Sequence, residues 1–544
     1  FSSLPLMADS ELTSRLGTDM SSSARRPMLR PDGNHWGFGL PELKEVGRVA
    51  APIALTNWFE YLPVVFLVFA VGRLPSSREK LAASALGRNY FSAWWMIAYG
   101  VTAALHTLSP QVQGAGRPDL HPLHAQRAVI LVTIVGSGIA VVLCFSEQIL
   151  RSLGQDPAVA ADAAPFAICL IPRLFFEGYF TILQRVGQAT GLAASVASVT
   201  AVGMVASPIF LWFFIKACDM GYLGAAWAVD AWNALNMLLL GLVLVRTGSG
   251  PAGRGLFKPY HPFSSVLSLK ATKEYMALAI PATLQICLES WAIDLGVMLA
   301  AGSLPDPDVN LSANAIVASL ADLMYMVWLG FQGAAAISIG HSLGAGDIAA
   351  AKRHTSAALL SGCSIAAVMA LMLGFGRHHI ASLLTNSPDV QEKAGSTLLV
   401  LSVHMLPDCL NCMLGGVLRG MGRQSRGVKH QFAGFYIVGA PLVLIFLASF
   451  GKTDYGLEML WVAVIAAALT SACLSAYFIS RVDWDELVEE ARTRTSHPRT
   501  GELPEDENGT NLNSFRNCSA GSLAAEGGGN GSSDGTPVCS QGAA

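Results

Sequence analysis

The chain has 544 residues, of which 52% are hydrophobic and only 13% are charged, and its mean hydropathy is +0.46. Soluble domains carry nearer a quarter of charged residues, so this composition excludes an ordinary soluble protein and predicts a membrane protein. The formal net charge of −3 is too small, and the basic residues are too scattered, to indicate a nucleic-acid partner.

Twelve apolar segments account for most of the chain. Each has about 20 residues, the length that crosses a bilayer as a helix. Residues 1–40 precede them without a long apolar run, so we expect a disordered segment with no secretory signal. A link at 247–272 separates the first six from the last six, and the polar tail at 487–544 is expected to be disordered. The predicted spans are 49–71, 84–107, 126–146, 164–187, 193–216, 221–245, 275–301, 313–340, 355–375, 393–418, 431–450 and 457–480.

The two halves repeat each other. Glu60 and Glu289 each follow a proline by eight residues and stand 229 positions apart, and a shift of 231 places Glu177 opposite Asp408. Six helices return the chain to the side from which it started, so parallel repeats are expected, related by an axis along the membrane normal. The predicted fold is therefore an all-α polytopic membrane protein. Its lobes are an N-lobe at 41–246 and a C-lobe at 273–486.

Basic residues predict the orientation of the chain. They gather before the first span, in the link, and after the eighth and tenth spans, all on one side of the predicted membrane. The positive-inside rule makes that side cytoplasmic, and both termini lie there. Most of the ten cysteines fall in apolar segments, which is not a disulfide framework.

Short strings in a fixed order carry a family resemblance. They lie in span 7, after span 8, at the end of span 10 and after span 12. They read Cys287-Leu288-Glu289-Ser290-Trp291-Ala292-Ile293-Asp294, Leu343-Gly344-Ala345-Gly346, Gly416-Val417-Leu418-Arg419-Gly420-Met421-Gly422 and Asp483-Trp484-Asp485. With them the chain resembles the eukaryotic branch of the multidrug and toxic compound extrusion (MATE) family over nearly all of residues 41–485. The resemblance implies two six-helix lobes forming a V around a central cavity, and export of organic substrates driven by proton or sodium entry.

Acids inside the apolar spans are the candidate coupling residues, because a charge in the hydrocarbon core costs several kcal/mol. A buried carboxyl group can hold a proton near neutral pH, and its anion can bind a cation, so competition between the two gives exchange. Glu289 lies about 14 residues into span 7, roughly 21 Å from its start, and is the first candidate. The resemblance implies Asp408 as its partner and adds Asp294, which stands where relatives carry Glu.

The N-lobe adds two acids that depart from the resemblance. Relatives often carry Gln or an apolar residue at the positions of Glu60 and Glu177. These two acids indicate a second proton or cation site, a carboxyl pair sharing one proton, or structural roles. Asp230 and Asp322 also lie inside spans, and for them we favour structural roles.

Neutral side chains predict the lining of the cavity. Tyr325, Trp291 and Asn57 are candidates to bind flat organic cations through ring faces and hydrogen bonds, although aromatic residues in membrane helices also serve packing. His106 stands where relatives often carry Asp and is a further candidate proton carrier. Ser338 and Ser342 replace the usual Arg and Glu after span 8, so cytoplasmic contacts are expected to differ.

The function predicted is a secondary antiporter that exports organic, cationic compounds, or sequesters them in an organelle, in exchange for protons rather than sodium. The alternative is a lipid or lipid-linked-sugar flippase of a related two-lobed fold, for which a basic cavity would be expected. No coherent catalytic set stands out, so we expect no enzymatic activity, no cofactor and no metal site. A monomer surrounded by membrane lipid is expected, in the plasma membrane or the vacuolar membrane.

Overall fold

The computed structural model describes Gly37 and residues 39–74, 77–247 and 266–496, and this part of the chain is helical without a β-strand. The predicted all-α fold is confirmed. In the N-lobe the helices are α1 Leu40–Val71, α2 Ser77–Thr102, α3 Leu105–Gly114, α4 His121–Cys144, α5 Ser146–Ser152, α6 Pro157–Cys169, α7 Ile171–Ala189, α8 Ala193–Trp212 and α9 Gly221–Arg246.

The C-lobe follows the link. Its helices are α10 Leu269–Trp291, α11 Pro307–Gly344, α12 Ile348–Leu384, α13 Pro388–Met421, α14 Gln424–Gln431, α15 Ala440–Phe450, α16 Gly456–Arg481 and α17 Trp484–Thr495. Three π-helical segments extend these elements. They are Phe213–Ala217 after α8, Ala292–Val297 after α10, and Phe432–Gly439 between α14 and α15.

All twelve predicted spans fall on helices. Among the described residues nine helical spans are long and apolar enough to cross a membrane, and α6 with α7, bent by 43° at their break, makes a tenth. The other two predicted spans fall on α2, continued by α3, and on α10. These helices are more polar than the ten, so their crossing of the membrane stays a prediction.

The two halves meet through contacts that occur twice. In the first, α2 packs on α10 and Gly100 lies against Thr283; in the second, α11 packs on α1 and Gly330 lies against Ala54. Gly330 is 230 positions after Gly100, and Thr283 is 229 after Ala54. Each contact is therefore the repeat of the other, as a two-fold axis requires. The predicted repeat of the two halves is confirmed, and the direction of its axis relative to the membrane stays a prediction.

The string Gly-Ala-Gly occurs at 114–116 and again at 344–346, 230 positions later, and the two copies face each other at one end of this interface. A Cβ added at Gly114 would lie 2.0 Å from the carbonyl oxygen of His341, and one at Gly344 would lie 2.1 Å from that of Gln111. The backbones of α3 and α11 therefore touch where any side chain would separate them. Small residues permit such close helix contacts in membranes, where lipid supplies little hydrophobic force between helices.

The predicted disordered tail is wrong for residues 487–495, because α17 runs from Trp484 to Thr495. Asp483 caps this helix by accepting hydrogen bonds from the backbone N–H groups of Asp485 and Glu486, at 2.9 and 3.4 Å. The apolar positions 487, 488 and 491 share its buried face. Residues 487–495 thus form an amphipathic helix with a capping Asp, although their polar composition predicted disorder. The other predictions of disorder and of the link fall on 1–36, 248–265 and 497–544, which lie outside the described residues.

Helix α17 connects the two lobes. Its Arg494 donates a hydrogen bond to Gln111 Oε1 in the N-lobe, at 3.3 Å. Arg117 of the N-lobe donates in turn to the carbonyl oxygen of Thr495, at 3.2 Å. The helix is also tied to the C-lobe, since Arg423 pairs with Glu486 at 3.0 Å. These contacts place α17 across the same end of the interface as the glycine pairs.

We expect Gly344→Ala to lower the melting temperature of the detergent-purified protein. The new methyl group would collide with the backbone at Gln111, and overpacking of this kind costs about 1–3 kcal/mol. Gly138→Ala in α4 is the matched control, because a Cβ there meets no heavy atom within 4 Å. Equal melting temperatures for the two variants would contradict the close approach of the two backbones.

Candidate functional site

Glu289 is held by two amide side chains. It lies near the end of α10, half-buried, and its Oε1 accepts a hydrogen bond from Asn411 Nδ2 of α13 at 2.9 Å. Its Oε2 accepts a second from Gln431 Nε2 of α14 at 3.1 Å. Both partners are neutral, so these bonds orient the carboxylate without neutralising it. A carboxylate that accepts hydrogen bonds only from neutral groups keeps its negative charge and can still attract a cation.

Asp408 joins this site from α13. Its side chain is buried, and its charge interacts with that of Glu289. His404, one turn earlier on α13, places Nε2 3.9 Å from Asp408 Oδ1. This contact is an ion pair only when the ring is protonated.

Two further groups surround the pair of carboxyl groups. Tyr325 of α11 interacts electrostatically with both Glu289 and Asp408. Arg419 donates a hydrogen bond to Gln332 Oε1, and its positive charge also acts on Glu289. The structure thus brings together three residues predicted from the sequence, Glu289, Asp408 and Tyr325.

Sequence reasoning missed the amide groups of this site. Asn411 and Gln431 come from helices far from Glu289 in the chain, 122 and 142 positions away. One signal was present, because a polar amide within an apolar helix is costly unless it has a partner. The identity of that partner depends on how the helices pack and could not be inferred from spacing.

Asp294 lies in the π-helical segment Ala292–Val297 that continues α10. Its side chain is outside the described part of the structure. In a regular α-helix, positions five apart lie about 140° apart around the axis, and a π-helical turn changes that angle. Glu289 and Asp294 are such a pair, so their facing one cavity stays a prediction.

The N-lobe acids have different partners. Glu177 forms an ion pair with Arg173, four residues earlier on α7. Glu60 Oε1 accepts a hydrogen bond from Gln184 Nε2 at 2.7 Å, and its charge interacts with that of Glu177. Glu177 is thus bonded to Arg173 and Glu60 to Gln184, and neither acid is bonded to the other. The hydrogen bonds therefore give no support to a proton shared between the two carboxyl groups.

Asp230 of α9 is a buried acid. The residue is only 4% exposed. The backbone and the charge of Arg173 both act on its carboxyl group, as does the charge of Glu177. The structural role that we favoured for this residue stays a prediction.

The predicted lining residues fall in two separate places. Trp291 lines a cavity of about 440 Å³ inside the C-lobe. Asn57 and His106 line a much smaller cavity, of about 30 Å³, between α1, α3, α7 and α11. Asn57 also donates a hydrogen bond to the carbonyl oxygen of Met326 at 3.2 Å. Tyr325 lines neither cavity and lies with Glu289 and Asp408, so the four candidates do not form one pocket.

Comparison with known sequences agrees with the internal repeat. The MatE family model matches residues 52–213 and 281–445, which is more than half of the chain, and the matches begin at Pro52 and Pro281. Protein DETOXIFICATION 3 of Arabidopsis thaliana is 29% identical over 471 residues, covering 86% of this chain and 96% of that relative. An uncharacterized transporter of Schizosaccharomyces pombe is 29% identical, covering 82% of this chain and 81% of its own length.

Solved structures share the fold. The crystal structure of the eukaryotic MATE transporter AtDTX14 superimposes with a TM-score of 0.76 at 25% identity, covering 84% of this chain and 99% of that one. A transporter of the MOP superfamily from Pyrococcus furiosus has the same fold at 16% identity, with a TM-score of 0.72 and 83% of this chain covered. The chain belongs to the MatE family, and it is a multi-pass membrane transporter of organic compounds rather than an enzyme.

Proposed function

We propose that this transporter is an antiporter that moves organic cations out of the cytosol in exchange for protons. The observation that carries the proposal is Glu289, a carboxylate inside a membrane helix whose two hydrogen-bond donors are neutral amides. The substrate leaves across the plasma membrane or enters the vacuole. Sodium is the alternative coupling ion.

The exchange follows from competition for one negative charge. Glu289 binds either a proton or a cationic substrate, because its hydrogen-bond donors Asn411 and Gln431 are uncharged and Arg419 acts on it only from a distance. Asp408 lies close enough for its charge to act on Glu289, so the two carboxylates together attract one cation more strongly than either alone. A proton that arrives from the acidic side then displaces the substrate.

Asp294 and Tyr325 complete the proposed C-lobe site. Tyr325 interacts with both carboxyl groups, which suits a ring that contacts a bound cation. Asp294 follows Glu289 on the same membrane segment and adds negative charge to the path that the cation takes. In this proposal both residues shape the field around Glu289 and do not replace it.

We propose that the N-lobe acids have mainly a structural role. Glu177 forms an ion pair with Arg173 on the same helix. Glu60 has one neutral partner, Gln184, as Glu289 has two. Glu60 is therefore the second candidate for coupling and Glu177 is not.

We expect Glu289→Gln to abolish uptake of an organic cation into proteoliposomes under an imposed pH gradient. The amide cannot release a proton, and losing a close charge weakens cation binding by roughly 2–5 kcal/mol. Glu147→Gln is the matched control, because Glu147 is a surface acid paired only with Arg151. Replacing sodium in both solutions distinguishes the two coupling ions.

Survival of gradient-driven uptake in a folded Glu289→Gln protein would contradict the assigned role of Glu289. The same assay on Glu60→Gln would then show whether the N-lobe acid is the coupling residue. Uptake that follows a sodium gradient and ignores the pH gradient would replace the proton by sodium and leave the site unchanged.

We expect Glu177→Gln to lower the melting temperature, whereas Glu60→Gln leaves it unchanged. Removing Glu177 takes the ion-pair partner from Arg173, and because this pair is half-buried we expect a cost of up to about 3 kcal/mol, the lower end for a broken buried pair. At position 60 the new amide oxygen still accepts the hydrogen bond from Gln184. A melting temperature that falls equally in both variants, measured in detergent, would refute this division of roles.

A further inference from the structure

The small cavity between the lobes is lined mainly by polar side chains, and none of its described lining residues is acidic. Helices α1, α2, α3 and α7 contribute from the N-lobe, and α11 contributes from the C-lobe. Arg185 of α7 is the charged residue of this lining. The other polar lining residues are Asn57, Tyr99, His106, Gln184, Gln188 and Gln332.

Arg185 brings a positive charge to the cavity. The residue is only 4% exposed, and its guanidinium carbon lies 4.7 Å from the ring centroid of Tyr99, which is also its hydrogen-bonding neighbour. In the described part of the chain, neither terminal nitrogen of Arg185 is bonded to a carboxylate. A buried charge is costly unless it is paired, so this guanidinium favours a negatively charged partner.

A second guanidinium lies beside the cavity. Arg419 of α13 donates a hydrogen bond to Gln332 Oε1, and Gln332 lines the cavity from the C-lobe. The charges of Arg185 and Arg419 both act on His106, which lines the cavity from the N-lobe. Positive charge therefore reaches the cavity from both lobes.

Two acids act on these guanidinium groups without lining the cavity. The charge of Glu60 acts with that of Arg185, and the charge of Glu289 acts with that of Arg419. The carboxylates of both acids accept hydrogen bonds from amide side chains. The cavity itself thus presents positive charge and no carboxylate.

Amide side chains add hydrogen-bond donors to the lining. Asn57 donates to the carbonyl oxygen of Met326, and Gln184 donates to Glu60 Oε1. Each amide nitrogen carries two N–H groups, so Asn57 and Gln184 each have a second donor beyond these bonds. Donors next to a guanidinium are the groups that bind an anion.

The size of the cavity selects the ligand. Its volume is about 30 Å³. One water molecule needs roughly 10–15 Å³, whereas pockets for organic ligands begin at about 300 Å³. A monatomic anion such as chloride fits this space, and an organic substrate or a lipid headgroup does not.

We propose that this cavity binds a small inorganic anion of the size of chloride, held by Arg185 and by the amide donors of Asn57 and Gln184. Because Gln332 lines the same space from the C-lobe, the bound anion contacts both lobes and stabilises their present arrangement. The inference does not depend on the proposed exchange, since it concerns neither the substrate nor the coupling ion.

The test measures the melting temperature of the full chain in detergent while chloride replaces gluconate at constant ionic strength. Gluconate is too large for the cavity, and a ligand that binds the folded state raises the melting temperature in a saturable way. We expect this rise for the unmodified protein and none for Arg185→Gln. Arg151→Gln is the matched control and should keep the rise, because the side chain of Arg151 is 51% exposed and pairs with Glu147.

Glu60→Gln supplies a change in the opposite direction. Removing a negative charge that acts on Arg185 should lower the chloride concentration at half-saturation by at least about fivefold, the lower end for coupling between two sites. In gluconate alone, Glu60→Gln and the unmodified protein should melt at the same temperature. Damage to the fold cannot produce tighter binding, so this variant tests the charge itself.

A direct measurement uses the unmodified protein and does not depend on the folding of a variant. Crystals are grown with bromide in place of chloride, and the ion is located by its anomalous scattering. We expect a bromide peak within hydrogen-bond distance of the guanidinium of Arg185.

Four results would overturn the inference. Equal melting temperatures in chloride and gluconate would mean that water fills the cavity. A chloride effect that persists in Arg185→Gln, a half-saturation that Glu60→Gln leaves unmoved, or bromide peaks confined to the protein surface would each mean that anions bind elsewhere. The proposed exchange of cations for protons would survive all four, because it requires no anion.

Discussion

The cost of leaving a polar group unpaired in hydrocarbon governs the rest of this structure. Arg173 pairs with Glu177, Arg419 is bound by Gln332, and Glu289 receives two amide donors. Each of these bonds joins polar groups that a membrane helix would otherwise leave without a partner. Glu289 differs from Glu177 because its hydrogen-bond donors are neutral amides and not a guanidinium group. Under the proposed function, that distinction separates an acid that stabilises the fold from one that binds a cation.

Because the chain is duplicated, the surroundings of corresponding acids in its two lobes can be compared directly. The interface contacts are repeated faithfully, since Gly100 and Gly330 make the same close approach. The polar groups are not repeated in the same way. Shifted by 231 positions, the pair Arg173–Glu177 becomes His404–Asp408, again four residues apart on one helix. Arginine carries a positive charge, whereas histidine does so only when protonated. The repeat thus places an Arg–Glu ion pair in the N-lobe and a His–Asp contact at the corresponding place in the C-lobe.

The sequence predicted the helices and the repeat because both depend on local pattern. The length of the apolar segments predicted all twelve helical segments, and the repeated prolines and glycines aligned the first half of the sequence with the second. It failed where structure depends on contacts between distant helices. The partners of Glu289 could not be found from spacing, and α17 was missed because composition concealed its capping residue Asp483 and its apolar face. The π-helical segments were missed as well, since the i→i+5 bonds that define them leave no simple periodicity in the sequence.

The proposed exchange depends on the charge of Glu289. Its two hydrogen-bond donors, Asn411 and Gln431, are neutral amides, so a proton on Glu289 changes the charge of the carboxyl group and leaves its donors uncharged. Under the proposed function, contacts to the uncharged part of a substrate are the same in both protonation states and cannot drive exchange. The proton would therefore change the affinity for different cationic substrates by a similar factor, whatever the shape of their uncharged parts.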